Sequence, residues 1–577
     1  LALLPVVVAV VAAILLYLFA CEVTGDRRIA LASVIVFAVM PMHVGRTSLG
    51  FIDHHAFDAP WLIITAWGLT AALDIERFEF EWLTVRAVAL LGIGVAGSVL
   101  SWWAAALLLA PIAITVVVAA ALAVRDDEPF LPAGIATAVG VGLGAGLIGL
   151  AHLLWGWQDI ITVAVPIGLT VGIISVVGAT AAWQHFDLSA WTFPVVGIGG
   201  SAALVATVIT VAPSMWTRVM DQLTRLFGTR GITQTQSLFG ETMGWLFMFG
   251  FLLAVSLPAI GWACTRIYTG SRRWIAPTSY AIFLMALGAV QLRFGGELSP
   301  FTALFGGLVI VALARWIDVV RSPVPLDGSE VELSIPSRGT VARLAIVVVL
   351  ICGLSAVQAP IAASGLTIPE ERYETASFIN DHATEAGHEY PESYVFSPWS
   401  WNRMYNYYVN GEAESYGYAQ SNYETFVTLN NASVAHEQFV RSDSYLVTEP
   451  APTSAEIPPN LMHSRLHNRY GSRGDGVAGL AHYRALYASP SGNYKAFRVV
   501  PGGTIEGTTE PNANVTVTTE VDIEGDEFTY ERRATATANG TYSVTVPYPG
   551  EYELGGATAE SVTVSEAAVN NGETVSA

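Results

Sequence analysis

Lysine is nearly absent from this chain: Lys495 is the only one, and every other residue among the 28 basic ones is arginine. Charge of any kind is scarce, at 13% of 577 residues, against roughly 25% for an average soluble domain. Acids dominate the charge that remains, with 48 Asp and Glu and a formal net charge of -20. No basic stripe exists to neutralise phosphates, which excludes nucleic acid as a partner. An acidic excess almost without lysine points to a protein kept hydrated in concentrated salt. The three cysteines, Cys21, Cys264 and Cys352, all lie in apolar segments, so there is neither a disulfide framework nor a zinc-ligand spacing. The chain opens at Leu1 inside an apolar run, without Met or a basic n-region. It does not read as a signal peptide, and a further piece is expected upstream.

Apolar sequence is what the chain has in abundance. Hydrophobic residues make up 53% and the mean hydropathy is +0.48. They are unevenly spread. Residues 1–357 form a succession of Val/Ala/Leu/Ile/Gly runs, whereas 358–577 are polar, aromatic and acidic. Runs long enough to cross a bilayer lie near 2–20, 30–47, 59–73, 87–103, 104–124, 131–151, 160–182, 191–212, 244–265, 275–291, 300–316 and 341–357. The pattern predicts an α-helical, many-span membrane domain over 1–357. Arginines fall on alternate connections: Arg27 and Arg28, Arg77 and Arg86, Arg125, Arg266 with Arg272 and Arg273, then Arg315, Arg321, Arg338 and Arg343. By the positive-inside rule these connections are cytoplasmic, which leaves 358–577 outside. Asp53, His55, Trp102, Trp103, the loop 213–243 and Arg293 then share the external face.

Within that loop, Met215, Trp216, Val219, Met220, Leu223, Leu226 and Phe227 recur at helical spacing, with Arg218, Arg225 and Arg230 between them. The pattern predicts a helix lying along the interface, leading into the polar stretch Gly231-Ile232-Thr233-Gln234-Thr235-Gln236. The polar half divides in two. Residues 358–502 predict a mixed α/β domain with a helix over 369–386 and strands at Tyr394–Phe396, Tyr445–Val447 and 482–487. Alternating Thr/Val segments over 503–577 predict a small β-sandwich module. Three Asn-X-Ser/Thr triplets, at Asn431, Asn514 and Asn539, permit glycosylation without requiring it.

The densest chemistry sits in Gly50-Phe51-Ile52-Asp53-His54-His55-Ala56-Phe57-Asp58. Ionisable groups at a membrane boundary cost several kcal/mol if they slip into hydrocarbon, so such a cluster is a functional candidate. On a short extended turn Asp53 and His55 would point the same way and share a cation. Magnesium and manganese accept that oxygen and nitrogen pair. Arg293, just beyond a span, is either a snorkelling anchor or a grip for a lipid phosphate. In the polar half, Pro398-Trp399-Ser400-Trp401-Asn402 concentrates aromatics and amides at a strand end, as a recognition surface or a structural cluster.

Taken together, these features resemble the catalytic subunit of archaeal oligosaccharyltransferase, a GT-C glycosyltransferase. The features are the many-span block, the outer Asp/His loop, the long interfacial loop, the external α/β domain and a β-module like those of haloarchaeal members. The resemblance implies transfer of an oligosaccharide from a dolichyl phosphate or diphosphate to Asn of Asn-X-Ser/Thr. It implies a cell-membrane enzyme working as a single subunit, with Mn2+ or Mg2+ as cofactor. Asp53 and His55 match the family's Asp-X-His metal motif and stand as catalytic and metal-binding candidates; Arg293 matches a donor-phosphate arginine. The first acidic motif of the family is expected upstream of Leu1. Two positions depart from the pattern. Gln234 stands where Thr-Ile-X-Glu places its metal-binding Glu, leaving a weak, uncharged ligand. Ser400 stands where Trp-Trp-Asp-Tyr-Gly places Asp, so sequon binding would fall to Trp399, Ser400, Trp401 and Asn402. The family's later lysine-containing helix motif has no match near 455–475. A catalytically degenerate paralogue that binds glycolipid or partner proteins is a second reading, and a membrane transporter a third.

Overall fold

The computed structural model describes residues 2–51, 53–77, 82–228, 233–240, 243–317, 337–412, 416–439, 444–451, 457–474 and 476–577. It forms two compact units, Leu1–Thr367 and Ile368–Ala577. Arg230, Gly231, Ile232 and Arg321 of the sequence reading lie outside the described residues, as do the side chains of Trp103, Arg225, Leu226 and Thr233.

In the first unit, ten helices among the described residues are long and apolar enough to cross a membrane. At about 1.5 Å per residue, their 18 to 27 residues match a hydrocarbon core roughly 30 Å thick. The unit is a multi-span membrane domain. Helices His55–Leu73 and Leu292–Trp316 are its interior, each 78% buried over its most apolar stretch, while no residue is buried over the most apolar stretch of Thr192–Val211. Small residues bring the inner helices together. A Cβ on Gly94 would lie 2.8 Å from the Thr65 backbone nitrogen, and one on Gly307 would lie 2.5 Å from that of Ser33. Lipid tails are as apolar as side chains, so close packing of this kind, rather than hydrophobic burial, holds such helices together.

Two of the expected spans are broken helices instead. The run 30–47 divides into Arg27–Ala38 and Pro41–Arg46, because Pro41 has no N–H to continue the ladder and opens a new helix. The run 244–265 divides at Gly250, whose φ of 59° only glycine adopts readily. There the Ser355 hydroxyl donates to the Phe249 carbonyl at 2.9 Å.

Arginines of the alternate connections gather at one end of this bundle, paired with acids. Arg86 meets Glu22 at 2.8 Å, Arg273 meets Asp74 at 3.0 Å, Arg272 pairs with Glu128 and Arg315 with Asp26. Asp53, Trp102 and Arg293 belong to the other end. Helix Pro213–Phe227 is strongly amphipathic, as its spacing predicts. The segment after it is pinned beside Arg293: Leu292 N–H donates to the Gln236 carbonyl at 2.6 Å, and Leu238 N–H to that of Gly288 at 2.9 Å.

The second unit opens with helix Glu370–Ala386. Its first sheet contains β1 (Val395–Phe396), β2 (Tyr445–Thr448), β3 (Tyr483–Ala488) and β4 (Lys495–Val499) in the order β1-β2-β4-β3, with β1 and β2 parallel. Lys495 is buried there, its ammonium donating to the His467 carbonyl at 2.7 Å. The remaining strands are β5 (Gly503–Thr508), β6 (Asn514–Ile523), β7 (Asp526–Thr535), β8 (Thr541–Val546), β9 (Gly550–Gly555), β10 (Ser561–Val564) and β11 (Thr574–Ser576). They form two sheets, β10-β9-β6-β7 and β11-β5-β8. Alternate residues point inward, so Val515, Val517, Tyr530, Tyr542, Val544 and Tyr552 make the core that continues into Tyr483 and Phe497 of the first sheet.

This packing has two measurable consequences. Gly307→Ala should lower stability by about 1–3 kcal/mol through overpacking, whereas Gly146→Ala, which meets nothing within 4 Å, should leave the melting temperature in detergent close to wild type. In the second unit, burial holds His382, His436 and His467 near 4, below their ordinary 6.5, and neighbouring positive charges reinforce it. These imidazoles stay neutral when folded but take protons once unfolded. Stability should therefore fall as pH drops from about 6.5 towards 4. Melting at pH 7 and pH 4.5 checks this, and His467→Gln should narrow the difference.

Candidate active site

The site grows from the junction between two helices. Helix Pro41–Arg46 ends and the chain reverses at Gly50, whose φ is 82° and whose N–H donates to the Ala2 carbonyl at 2.9 Å. Asp53 follows, His54 precedes the first helical residue, and His55 opens helix His55–Leu73. Asp53 and His55 thus flank a helix start rather than lying on an extended turn. The Asp53 carboxylate receives the His55 N–H at 3.4 Å, and its carbonyl receives that of Ala56 at 3.1 Å. Both contacts satisfy first-turn donors that the helix leaves open.

This start gathers Asp53, His54 and His55, with one ligand atom from each within 4.8 Å of the others. His54 Nδ1 is 2.5 Å from Asp53 Oδ1. The two imidazoles lie 4.1 Å apart, and Trp102 stacks on His54 at 5.2 Å. Burial alone would raise the Asp53 carboxyl, but the His54 hydrogen bond and the charges of His55 and His54 hold it below the usual carboxylate range. It is an anion at neutral pH. The buried His54 Nε2 has no hydrogen-bond partner among the described residues. An anionic oxygen beside two imidazoles, one with an unused nitrogen, fits a divalent cation of borderline hardness.

Behind this group lies a second, deeply buried one. His55 Nδ1 is 3.0 Å from Asp58 Oδ2 and 3.4 Å from Glu297 Oε1. Glu297 is in turn 3.0 Å from the Arg46 guanidinium, which also donates to the Arg293 carbonyl. A Cβ at 296 would collide with that guanidinium, so any side chain there would have to displace Arg46 from its ion pair.

The structure thus brings Asp53 and His55 together, and Arg46 connects that region to the backbone of Arg293. Arg293 itself is half-buried in the short turn Leu292–Phe294, its guanidinium 5.4 Å from the Phe294 ring centre. Gln234 sits exposed in the turn Thr233–Thr235, and no hydrogen bond described joins it to Asp53 or His55. Residues 399–402 follow the end of β1 by two residues and form the first turn of helix Trp399–Asn410 in the second unit. Ser400 is exposed. Trp401 lies 3.9 Å from the Arg372 guanidinium, itself bound by both Glu449 oxygens at 2.9 and 2.7 Å. Asn402 is committed to the fold, its amide donating to the Val395 carbonyl at 2.8 Å and to Ser397 Oγ at 3.1 Å. Sequence reasoning passed over Arg46 and Glu297. The signal that could have found them was a formal charge inside an apolar run, at 46 in the run 30–47 and at 297 just before 300–316.

Comparison with known proteins identifies the fold that carries this geometry. Residues 502–575 match the family described as archaeal glycosylation protein B long peripheral domain. A curated relative, dolichyl-phosphooligosaccharide-protein glycotransferase 2 of Archaeoglobus fulgidus, is 35% identical over 66 residues. That match spans only 11% of this chain and 11% of the relative. The archaeal oligosaccharyltransferase of A. fulgidus, solved with an inhibitory peptide and a dolichol-phosphate, superposes with a TM-score of 0.77. The superposition covers 100% of this chain and 87% of that one, at 17% identity. A complex of the A. fulgidus oligosaccharyltransferase with Zn and sulfate gives 0.66 at 18% identity, covering 100% of this chain and 88% of that one. The chain as a whole therefore has the GT-C fold of an archaeal oligosaccharyltransferase catalytic subunit, and it ends in that family's long peripheral domain.

Proposed function

We propose that this chain is an archaeal, metal-dependent dolichyl-phosphooligosaccharide–protein glycosyltransferase. The observation that carries the reading is the meeting of Asp53, His54 and His55 at one end of a bundle with this fold. A solved relative of the same fold holds a dolichol-phosphate. In the reaction the acceptor Asn amide nitrogen forms a bond to the sugar anomeric carbon as the bond from that carbon to phosphate oxygen breaks. The amide releases one proton, and the lipid phosphate departs with the bonding pair. The site end and the second unit face the outside, in keeping with the arginines gathered at the opposite end.

Asp53 and His55 would hold the cation, which when bound, as Mn2+ or Mg2+, supplies Lewis-acid neutralisation of the donor phosphate. The chain's own side chains do the rest. Hydrogen bonding keeps Asp53 anionic, and Trp102 walls the imidazoles. Arg293 offers its guanidinium to the donor phosphate at the same end of the bundle, where a planar fork suits phosphate oxygens. Trp399 and Ser400, at the start of an aromatic helix, present the surface for the acceptor sequon. Gln234 and Ser400 favour a second reading, a paralogue with weakened transfer that still binds glycolipid, because both replace a family carboxylate by a neutral group.

Transfer of a lipid-linked oligosaccharide to an Asn-X-Thr peptide should disappear with a chelator and return with Mn2+. Asp53→Ala and His55→Ala should abolish it while the protein still accumulates; unchanged peptide modification in either variant removes that residue from the mechanism. Gln234→Glu should tighten Mn2+ binding about tenfold, or ~1.4 kcal/mol, measured by titration calorimetry. Transfer by wild type at no more than background, alongside retained dolichyl-phosphate binding, would select the paralogue reading.

A further inference from the structure

The cation reading leaves three charged groups, the buried Asp58 and Glu297 and the half-buried Arg46, with no assigned role. They are not independent of it, because two of them converge on one nitrogen of a candidate ligand. His55 Nδ1 faces Asp58 Oδ2 at 3.0 Å and Glu297 Oε1 at 3.4 Å. With both carboxyls ionised their oxygens are acceptors, so the nitrogen between them donates, and the neutral imidazole carries its proton on Nδ1. The other ring nitrogen, Nε2, then keeps its lone pair for a cation. The two carboxylates are unequal. Glu297 Oε1 is neutralised by Arg46 at 3.0 Å, whereas Asp58, 2% exposed, has no arginine in contact among the described residues. Its second oxygen, Oδ1, has no hydrogen-bond partner among the described residues. The charge of Asp58 is therefore felt mainly by the imidazole, across a medium that screens weakly.

We propose that Asp58 is a positioning residue which, with the Arg46–Glu297 pair, locks His55 as the Nδ1–H tautomer and presents Nε2 to the divalent cation. A carboxylate behind a ligating imidazole fixes ring orientation and makes the opposite nitrogen a stronger donor. The arrangement restores, from one shell further out, negative charge of the kind forgone at Gln234. This inference rests on the cation-dependent reading above.

The test uses the intact chain in detergent and reads Mn2+ affinity by titration calorimetry and electron paramagnetic resonance. The His55 tautomer is read separately, by 15N-histidine NMR without metal and assigned by difference against His55→Gln. Asp58→Asn preserves size but replaces the charge with an amide that can donate to Nδ1 and drive the proton to Nε2. It should weaken Mn2+ binding by about 10- to 100-fold and remove the Nδ1–H signature. Asp58→Glu should recover part of the affinity. Wild-type affinity in Asp58→Asn, or an Nε2–H His55 in the unaltered protein, would overturn the inference and leave the cation reading standing. Loss of binding in Asp58→Asn and Glu297→Gln as complete as in Asp53→Ala would also overturn it, by making the carboxylates ligands. Wild-type affinity in both Asp53→Ala and His55→Ala would overturn the inference and the cation reading together. Should Asp58→Asn fail to fold, the tautomer of the unaltered protein and the Asp58→Glu affinity still decide.

Discussion

The ion pair between Arg46 and Glu297 is the constraint on which the site end depends. Glu297 is wholly buried and Arg46 half-buried, with 13% of its side chain exposed. Removing one member of such a pair costs about 3–5 kcal/mol, because it leaves the other charge stranded. The two residues belong to helices far apart in sequence, so their pairing fixes the short helix Pro41–Arg46 against Gly295–Trp316. Everything after Arg46 in the first segment, including Gly50, Asp53 and His55, is delivered from that anchor. Gly296 reflects the same constraint, since the guanidinium occupies the space any side chain there would need.

Much of the fold was legible because its physics is local. A run of some twenty apolar residues has few outcomes other than a buried or spanning helix. The Thr/Val alternation after 503 similarly marks the strands β6, β8 and β10. The two broken helices were visible only in part. Pro41 is a warning in any helical pattern, but Gly250 is one glycine among many, and its positive φ is matched to Ser355, a hundred residues away. That partnership has no local sequence signal.

At the site, the short-range part could be read and the long-range part could not. Asp53, His54, His55 and Asp58 lie within one short stretch of chain, and their grouping follows from spacing. Glu297 reaches the same imidazole from a distant helix, and nothing near it announces the meeting beyond a carboxylate beside an apolar run. The aromatic segment 399–402 shows the converse. Its composition attracts a recognition role, yet Asn402 is spent binding the helix to β1, and Trp401 rests on a guanidinium that Glu449 already holds. Composition alone does not separate side chains that face a ligand from those that hold the surface facing it.

The solitary lysine has a practical consequence. Its amine lies inside β4, packed 3.7 Å from the Tyr470 ring centre and bound to a carbonyl, and burial brings it down to about 8. Acylating reagents and amine-coupled cross-linkers find no other lysine on the molecule. Their uptake at position 495, read apart from the α-amine, therefore reports the opening of that sheet, which makes the one lysine side chain a built-in footprinting probe.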